Sequence, residues 1–190
     1  MKVFHCAAAW FLVLIMICSA AVAEETGNEE ISLQERAFMV AFSETPEEII
    51  LSAMEVYSWF TISPLDVDPE LAGGDGSVWR VADEALCSEE VMLRLLDFIF
   101  CPEIVGNLMT YGPYTAIDGL LYSVSGGRSV DPRICGVRYE ETFADEEKKV
   151  YTVTVSYRDE EGNELEPDVL EFVREKIDGQ WLFTAFPFFW

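Results

Sequence analysis

The chain has 190 residues, of which 35 are acidic and 12 are basic, so its formal net charge at pH 7 is −23. A surface this acidic repels nucleic acids and anionic membranes, which excludes both as charge-driven partners. The length suits one domain with a sizeable core. The charge serves either solubility alone or the selection of a basic partner, and composition does not separate the two.

The first 23 residues have the three regions of a secretory signal peptide. Lys2 is the positive region, residues 7–17 form an apolar run too short to span a bilayer, and residues 21–23 are a small-x-small cleavage site. We expect cleavage after Ala23 and a secreted, extracytoplasmic protein. Lys2 is the only charged residue that cleavage removes, so the mature charge becomes −24.

The predicted mature chain keeps three of the five cysteines, and an odd number does not make a disulfide framework. Cys87 and Cys101 flank a predicted helix whose rise separates them by about 20 Å. A disulfide needs Cα atoms within about 7 Å of each other. We therefore expect three buried thiols, or at most one bond through Cys135. Lipidation at Cys18 is the alternative to cleavage after Ala23.

Residues 24–31 are polar, and we expect them to be a disordered lead-in to one α+β domain at 32–190. Capping boxes, in which Ser or Thr is followed three residues later by Glu, start two predicted helices at Ser32 and Thr45. The second of these helices has proline at its first position and an apolar stripe over residues 49–60. Such a stripe is typical of a helix that faces the core.

Residues 61–76 are rich in Pro, Gly and Asp, which predicts a loop. A short strand is expected at residues 77–82. Ser88 then caps a predicted buried helix that runs to about residue 100, and Pro102 begins a third short helix.

The rest of the chain predicts antiparallel strands. Asp-Gly pairs at 118–119 and 178–179 permit the positive φ angles of type I′ turns and therefore predict two hairpins. Residues 148–158 alternate, with apolar side chains on one face, and an acidic loop follows at 159–168. N-terminal helices followed by a C-terminal antiparallel meander make a single α+β domain.

The sequence has few residues in patterns that are typical of catalytic or metal sites. The only histidine, His5, lies in the predicted signal peptide, which removes Ser-His-Asp catalysis, Cys-His catalysis and His-ligated zinc from the mature protein. The sequence that starts at Asp66 does not match an EF-hand loop, because its sixth and twelfth positions are Leu71 and Ser77 rather than Gly and Glu. A looser calcium site in that acidic loop stays open. We expect no enzyme, no cofactor and no metal.

Several short motifs, in their order and spacing, resemble the secreted bacterial inhibitors of peptidoglycan DL-endopeptidases, the IseA-type family. The motifs are "VYSWF", "WRVAD", "FIFCPEIVGNL", "IDGLLY" and "GGRSVD", and they cover the chain from about residue 57 to 131. The residues that carry the resemblance are Tyr57, Trp59, Phe60, Asp66, Arg80, Val81, Phe100, Glu103, Leu108, Tyr114, Asp118, Gly119, Leu121, Tyr122 and Arg128. The C-terminal strands fit the family only in kind, and Cys101 stands where the resemblance implies Ser.

The resemblance implies a cell-wall-associated protein without enzymatic activity, which docks an acidic surface over the cleft of a cysteine-dependent wall hydrolase. The expected partner is a basic secreted cell-wall endopeptidase, with no nucleic acid and no membrane involved after signal cleavage. We expect the contacts in the Asp66–Asp75 loop, the Gly126–Arg128 loop and the Glu140–Glu147 turn. The candidate partner-binding residues are Asp66, Asp68, Asp75, Arg128, Glu140, Glu141, Asp145, Glu146 and Glu147.

A second hypothesis is a small-ligand-binding domain of the cystatin-like or NTF2-like type, since such domains share the order of helices followed by a curved sheet. It predicts a deep cavity lined by Trp181, Phe183 and Tyr151. The aromatic C-terminal residues 186–190 either close the core or form an exposed docking patch.

Overall fold

Residues 45–124, 126–127 and 130–189, which are those described in this computed structural model, form three helices and eight strands and belong to one compact unit. The chain is therefore mixed α+β, as predicted. The helices are α1 (Pro46–Thr61), α2 (Glu89–Ile99) and α3 (Pro102–Tyr111). The strands are β1 (Val67–Gly73), β2 (Val78–Val81), β3 (Tyr114–Ile117), β4 (Leu120–Ser123), β5 (Ile134–Ala144), β6 (Lys148–Tyr157), β7 (Asp168–Ile177) and β8 (Gln180–Ala185).

Helix α1 begins with the capping box that the sequence predicts. Thr45 Oγ1 accepts a hydrogen bond from the Glu48 amide at 3.2 Å, and Glu48 Oε2 accepts one from the Thr45 amide at 3.3 Å. Two of the three unpaired amides at the helix start are thus satisfied, since Pro46 has no N–H. The apolar stripe is buried, which confirms its core-facing orientation. The helix expected at Ser32 and the lead-in at 24–31 lie outside the described residues.

The first sheet is antiparallel, with the strand order β1-β2-β4-β3. Part of the predicted loop at 61–76 is in fact strand β1, so the prediction is wrong there. Strand β1 lies at the edge of the sheet and its pairing with β2 is irregular between Val67 and Ala72, which is where a strand tolerates Pro69. Gly73 is required, because a Cβ at this position would overlap the ring of Tyr122.

Both predicted hairpin turns are confirmed. Asp118 and Gly119 have φ angles of 52° and 77°, and they join β3 to β4. Asp178 and Gly179 have φ angles of 51° and 87°, and they join β7 to β8. Two consecutive positive φ angles are what a type I′ turn requires.

The second sheet is an antiparallel meander with the order β5-β6-β7-β8. Tyr151, Val153 and Val155 of β6 are 0% exposed, which confirms the alternation expected for this strand. Aromatic rings fill the space beside the sheet, with Phe186 in edge-to-face contact with Phe172 at 4.9 Å. Phe186 and Phe189 are both 8% exposed, so these two rings close the core and are not part of a docking patch, whereas Trp190 lies outside the described residues.

The two edges of the second sheet differ. Along β8, the amide of Cys101 donates to the carbonyl of Phe183 at 2.9 Å, and Phe100 forms a parallel bridge with the same residue. The segment between α2 and α3 therefore covers part of that edge. Strand β5 is the other edge, and among the described strands only β6 pairs with it.

Candidate functional site

A shallow groove of about 330 Å³ lies at the end of the second sheet where β5 begins and β6 ends. Its walls come from both strands and from the segment that joins β6 to β7, which we call the β6–β7 loop (residues 158–167). The residues that line the groove are Cys135, Gly136, Ser156, Tyr157, Arg158, Glu164, Leu165 and Pro167. We call this feature the β6–β7 groove.

Local hydrogen bonds hold the β6–β7 loop in one shape. The two carboxylate oxygens of Asp159 accept from the amide and the side-chain nitrogen of Asn163, at 2.7 and 2.9 Å. These bonds lower the pKa of Asp159. Gly162 supplies the turn with a φ of 87°, and the amide of Leu165 donates to the carbonyl of Tyr157 at 3.0 Å. The loop is therefore preorganised, which lowers the entropy lost when a partner binds.

A chain of polar contacts runs through Tyr157, one of the residues that line the groove. Arg133 Nη2 donates to Asp131 Oδ2 at 2.7 Å, and the Arg133 guanidinium lies 6.0 Å from the centre of the Tyr157 ring. The Tyr157 hydroxyl donates to Asp168 Oδ2 at 2.8 Å. Hydrogen bonding to Arg133 lowers the pKa of Asp131 to about 2, and burial together with the bond to Asp168 raises the pKa of Tyr157 to about 12.

Glu164 and Leu165 line the groove, and further acids and an exposed apolar residue, Val169, lie close to them in the chain. Leu165 is 40% exposed and Val169, at the start of β7, is 64% exposed. Arg158 is the only basic residue from 158 to 168, and its guanidinium lies 4.0 Å from Glu164. The acids of this segment are Asp159, Glu160, Glu161, Glu164, Glu166 and Asp168. An apolar centre inside a polar rim is the usual composition of a protein-binding surface.

The predicted residues of the first sheet flank β1 and serve local structure. The carbonyl of Asp66 accepts from the amide of Ala82 at 2.8 Å. Asp68 Oδ1 accepts from the amide of Glu70 at 2.9 Å. Asp75 caps the turn before β2 through hydrogen bonds from Ser77, which lower its pKa. Within the described part of the chain, no three His, Cys, Asp or Glu residues are grouped so as to hold a metal ion.

The predicted acidic turn of the second sheet, Glu140–Glu147, contains acids that already have cationic neighbours. Arg138 Nη2 lies 3.1 Å from Glu140 Oε2, and Lys149 Nζ lies 3.8 Å from Glu141 Oε2. The local charge is therefore much lower than the run of acids indicates, because the antiparallel register brings a lysine of β6 beside β5.

The end of this turn is also held by its own acid. Asp145 Oδ1 accepts from the amides of Glu147 and Lys148 at 2.8 and 2.7 Å, which lowers the pKa of Asp145. Lys148 Nζ lies 3.4 Å from Glu175 Oε1 on β7. Of the five acids in the predicted cluster, Glu146 and Glu147 are the two whose side chains make no hydrogen bond or ion pair with another described residue.

Arg128, the remaining predicted contact residue, lies outside the described residues. Gly127 of the same predicted loop lies against the carbonyl of Ile62, just after α1, where a Cβ would be too close to the oxygen. This close approach explains a glycine at that position.

A buried cation lies below the β5–β6 turn. Arg174 is 8% exposed, its Nη2 donates to the carbonyl of Trp181 at 3.2 Å, and its guanidinium lies 5.4 Å from the ring centre of Phe183. Among the described residues, neither its Nε nor the Tyr151 hydroxyl meets the geometry of a hydrogen bond, but the two groups are close enough to interact electrostatically. Burial lowers the pKa of Arg174. Tyr151 and Phe183 are both 0% exposed, so neither lines a water-sized cavity of the kind that the ligand-binding hypothesis predicts.

All three cysteines outside the predicted signal peptide are free thiols, but they are not all buried as expected. Cys101 is buried, Cys87 is half-buried and Cys135 is exposed in the β6–β7 groove. The register of β5 shifts between Ile134 and Gly136, which turns the side chain between them away from the core. Sequence alternation alone does not show such a shift.

Of the fifteen residues that carry the family resemblance, seven are buried core residues among those described. Those that are buried are Trp59, Phe60, Val81, Phe100, Leu108, Tyr114 and Leu121. No protein-family model matches the chain, and no curated protein matches it closely enough to indicate a relationship. None of the helices among the described residues has both the length and the apolar character needed to cross a membrane.

Proposed function

We propose that this protein is a secreted inhibitor without catalytic activity, which binds a basic cell-wall DL-endopeptidase through the β6–β7 groove and occludes its cleft. The observation that carries the proposal is a preorganised segment, residues 159–168, in which six acids lie on both sides of the exposed Leu165 in the chain. The resemblance to IseA-type inhibitors in the core residues supports the same partner class.

The acidic rim supplies the encounter step. Six acids between residues 159 and 168 face one base, and the whole chain carries a net charge of −23. Complementary charge raises association rates and is screened over about 10 Å at 0.1 M salt. A cationic endopeptidase would therefore bind quickly and with a strong dependence on ionic strength.

The apolar centre supplies the lasting contact. Burying exposed apolar surface contributes about 25 cal/mol per Å², and Leu165 is held in place by the bond from its amide to Tyr157. The groove of about 330 Å³ is at the small end of the range for ligand pockets, about 300–1,000 Å³. It suits one side chain of a protein partner better than a small molecule enclosed on all sides.

The arrangement of the domain belongs to the same proposal. We infer N-terminal helices packed on the C-terminal meander, as in the resemblance. Contacts between α1 and β5, and between α2 and β8, support this arrangement. The stacking of Tyr57 on Phe188 at 5.7 Å also joins α1 to the end of the chain.

The proposal is tested by direct binding. The secreted protein is immobilised and exposed to purified cysteine-dependent wall endopeptidases with basic surfaces, at low and high salt. Binding that weakens steeply with salt, and that a Glu160→Lys/Glu161→Lys/Glu166→Lys variant loses, would support it. Binding that this variant keeps in full, or no binding to any such enzyme, would overturn it.

A further inference from the structure

Strand β5 presents an open edge with one regular stretch. Its pairing with β6 is irregular between Ile134 and Gly136 and again between Glu141 and Phe143. Between these two points, Gly136–Glu141 pair with β6 without interruption. The outer edge of this stretch has backbone donors and acceptors that no described strand satisfies. Such an edge is a template for another strand.

The side chains of this stretch have different roles on its two faces. Val137 and Tyr139 are half-buried and pack against the core cluster. On the other face, the side chain of Arg138 is 77% exposed and that of Glu140 is 57% exposed, and their charged groups lie 3.1 Å apart. The stretch therefore has one apolar face and one face with a plus-minus pair.

The order of these charges makes the edge complementary to itself. In an antiparallel pair of identical strands with the two-fold axis at Tyr139, Arg138 lies directly opposite the partner subunit's Glu140. Glu140 then lies opposite the partner subunit's Arg138. The two strands would form a quartet of alternating charges on one face and pair the two Tyr139 rings on the other. Opposite charges in directly facing positions stabilise a strand pair, and like charges destabilise it.

We infer that β5 is a self-association edge, at which two copies pair antiparallel about Tyr139 to form a two-fold dimer. Closed two-fold pairing leaves no further copy of β5 exposed, so the assembly stops at two. The other sheet edge is partly covered by the Phe100–Cys101 segment, which agrees with β5 as the edge left for pairing.

The net charge of −23 on each copy opposes this dimer and gives it a recognisable salt dependence. Salt screens the repulsion between the two chains as a whole. Dimerisation should therefore strengthen as salt is raised, whereas binding of a basic enzyme to the β6–β7 groove should weaken. An experiment can therefore contradict one of the two proposals without contradicting the other.

Sedimentation equilibrium of the secreted chain at two salt concentrations, up to about 1 mM protein, tests the inference directly. Arg138→Glu and Glu140→Arg each place like charges opposite one another and should raise the dimer dissociation constant about tenfold or more. The double swap, with both substitutions, restores the alternating quartet and should restore dimerisation.

Arg94→Glu is the matched control, because Arg94 is also an exposed arginine paired with a glutamate, Glu90, but lies on α2. It changes the net charge as Arg138→Glu does and should leave dimerisation nearly unchanged. Circular dichroism checks that each variant is folded. A monomer at every concentration, equal effects of Arg94→Glu and Arg138→Glu, or a double swap that fails to recover dimerisation would each overturn the inference.

Discussion

The two ends of the second sheet both have acidic connections, but they differ in how much of the charge is compensated by basic neighbours. At the β5–β6 turn, Glu140 and Glu141 lie beside Arg138 and Lys149. In the β6–β7 loop, Arg158 is the only base among six acids between residues 158 and 168. The lesson is that surface charge depends on which strands are neighbours, and a count of acids along the chain does not show it.

The apolar content of the two ends sharpens the contrast. At the β5–β6 end, the exposed apolar side chain is Phe143, which is 49% exposed. The cations of this end are the buried Arg174 and two lysines, Lys148 and Lys149, that are paired with acids. The β6–β7 end has Leu165 and Val169 next to a groove. We therefore propose partner binding at the β6–β7 end and a mainly structural role for the acids at the other end.

Charge reversal at the two ends should produce the largest difference. We expect Glu160→Lys/Glu161→Lys/Glu166→Lys to slow association with a basic endopeptidase about 10- to 100-fold at low salt, because steering charges act on encounter. The matched variant Glu141→Lys/Glu146→Lys/Glu147→Lys makes the same change in net charge near the β5–β6 turn and leaves Arg138 and Glu140 unchanged. Its effect should stay within about threefold. Stopped-flow kinetics measures the association rate of each variant with the endopeptidase. If both variants associate equally slowly, the two ends of the sheet do not differ in partner binding.

The apolar centre should act on dissociation. Leu165→Ala removes about 1–2 kcal/mol of apolar contact and should speed dissociation about tenfold, with little change in association. Leu71→Ala is the control, since Leu71 is 37% exposed and lies on β1 in the other sheet. Surface plasmon resonance measures both rates. If Leu71→Ala has the larger effect, the contact surface lies on the first sheet.

The buried cation at the β5–β6 end should be dispensable for stability. Arg174→Met keeps an apolar stem of similar length and removes a charge whose Nε meets the geometry of no hydrogen bond among the described residues. We expect the free energy of unfolding to rise by about 1 kcal/mol, since replacing buried charges with packed apolar groups is often stabilising. Chemical denaturation measures it. Arg158→Met, at the exposed end, should stay within about 0.5 kcal/mol of wild type, and a large loss from Arg174→Met would show a role that the contacts do not reveal.

The smallest expected effects are in the titration of two aspartates. Asp131 has its pKa lowered to about 2, first by hydrogen bonds to Arg133, whereas backbone amides lower the pKa of Asp145. Arg133→Ala should return the pKa of Asp131 towards its usual value and leave that of Asp145 low. Carboxyl NMR titration measures both, and a parallel rise of both values would contradict these separate causes.

The same two groups set the sign of a pH effect on stability. A carboxyl whose pKa is lower in the folded state stabilises the fold above its unfolded pKa of about 3.9. For Asp131 that contribution is lost as the pH falls from about 4 through 2. Arg133→Ala should therefore flatten the acid limb of the stability curve.

Much of the secondary structure could be predicted because its signals are local. The capping box at Thr45 and the two Asp-Gly turns depend on residues within four positions of each other, and the structure has all three. Strand β1 was not predicted, because its extended conformation depends on pairing with β2 and not on local sequence. An edge strand that contains Pro and Gly also resembles a loop in sequence.

The site could be predicted less well than the fold, for a physical reason. The acid at Glu141 looks uncompensated in the sequence, because only the β5–β6 register brings Lys149 beside it. The groove needs the ends of β5 and β6 together with the β6–β7 loop. The run of six acids within ten residues predicts the loop, but not the groove that the loop forms with the two strands.

Inhibition of wall hydrolysis tests the central claim most directly. Purified cell wall is digested by a basic DL-endopeptidase with and without the protein, at two salt concentrations. The wild type is compared with the Glu160→Lys/Glu161→Lys/Glu166→Lys and Glu141→Lys/Glu146→Lys/Glu147→Lys variants. We predict strong inhibition at low salt by the wild type and the β5–β6 variant, and its loss in the β6–β7 variant. Wall hydrolysis that proceeds unchanged with wild-type protein, or inhibition that the β6–β7 variant retains in full, would contradict the account.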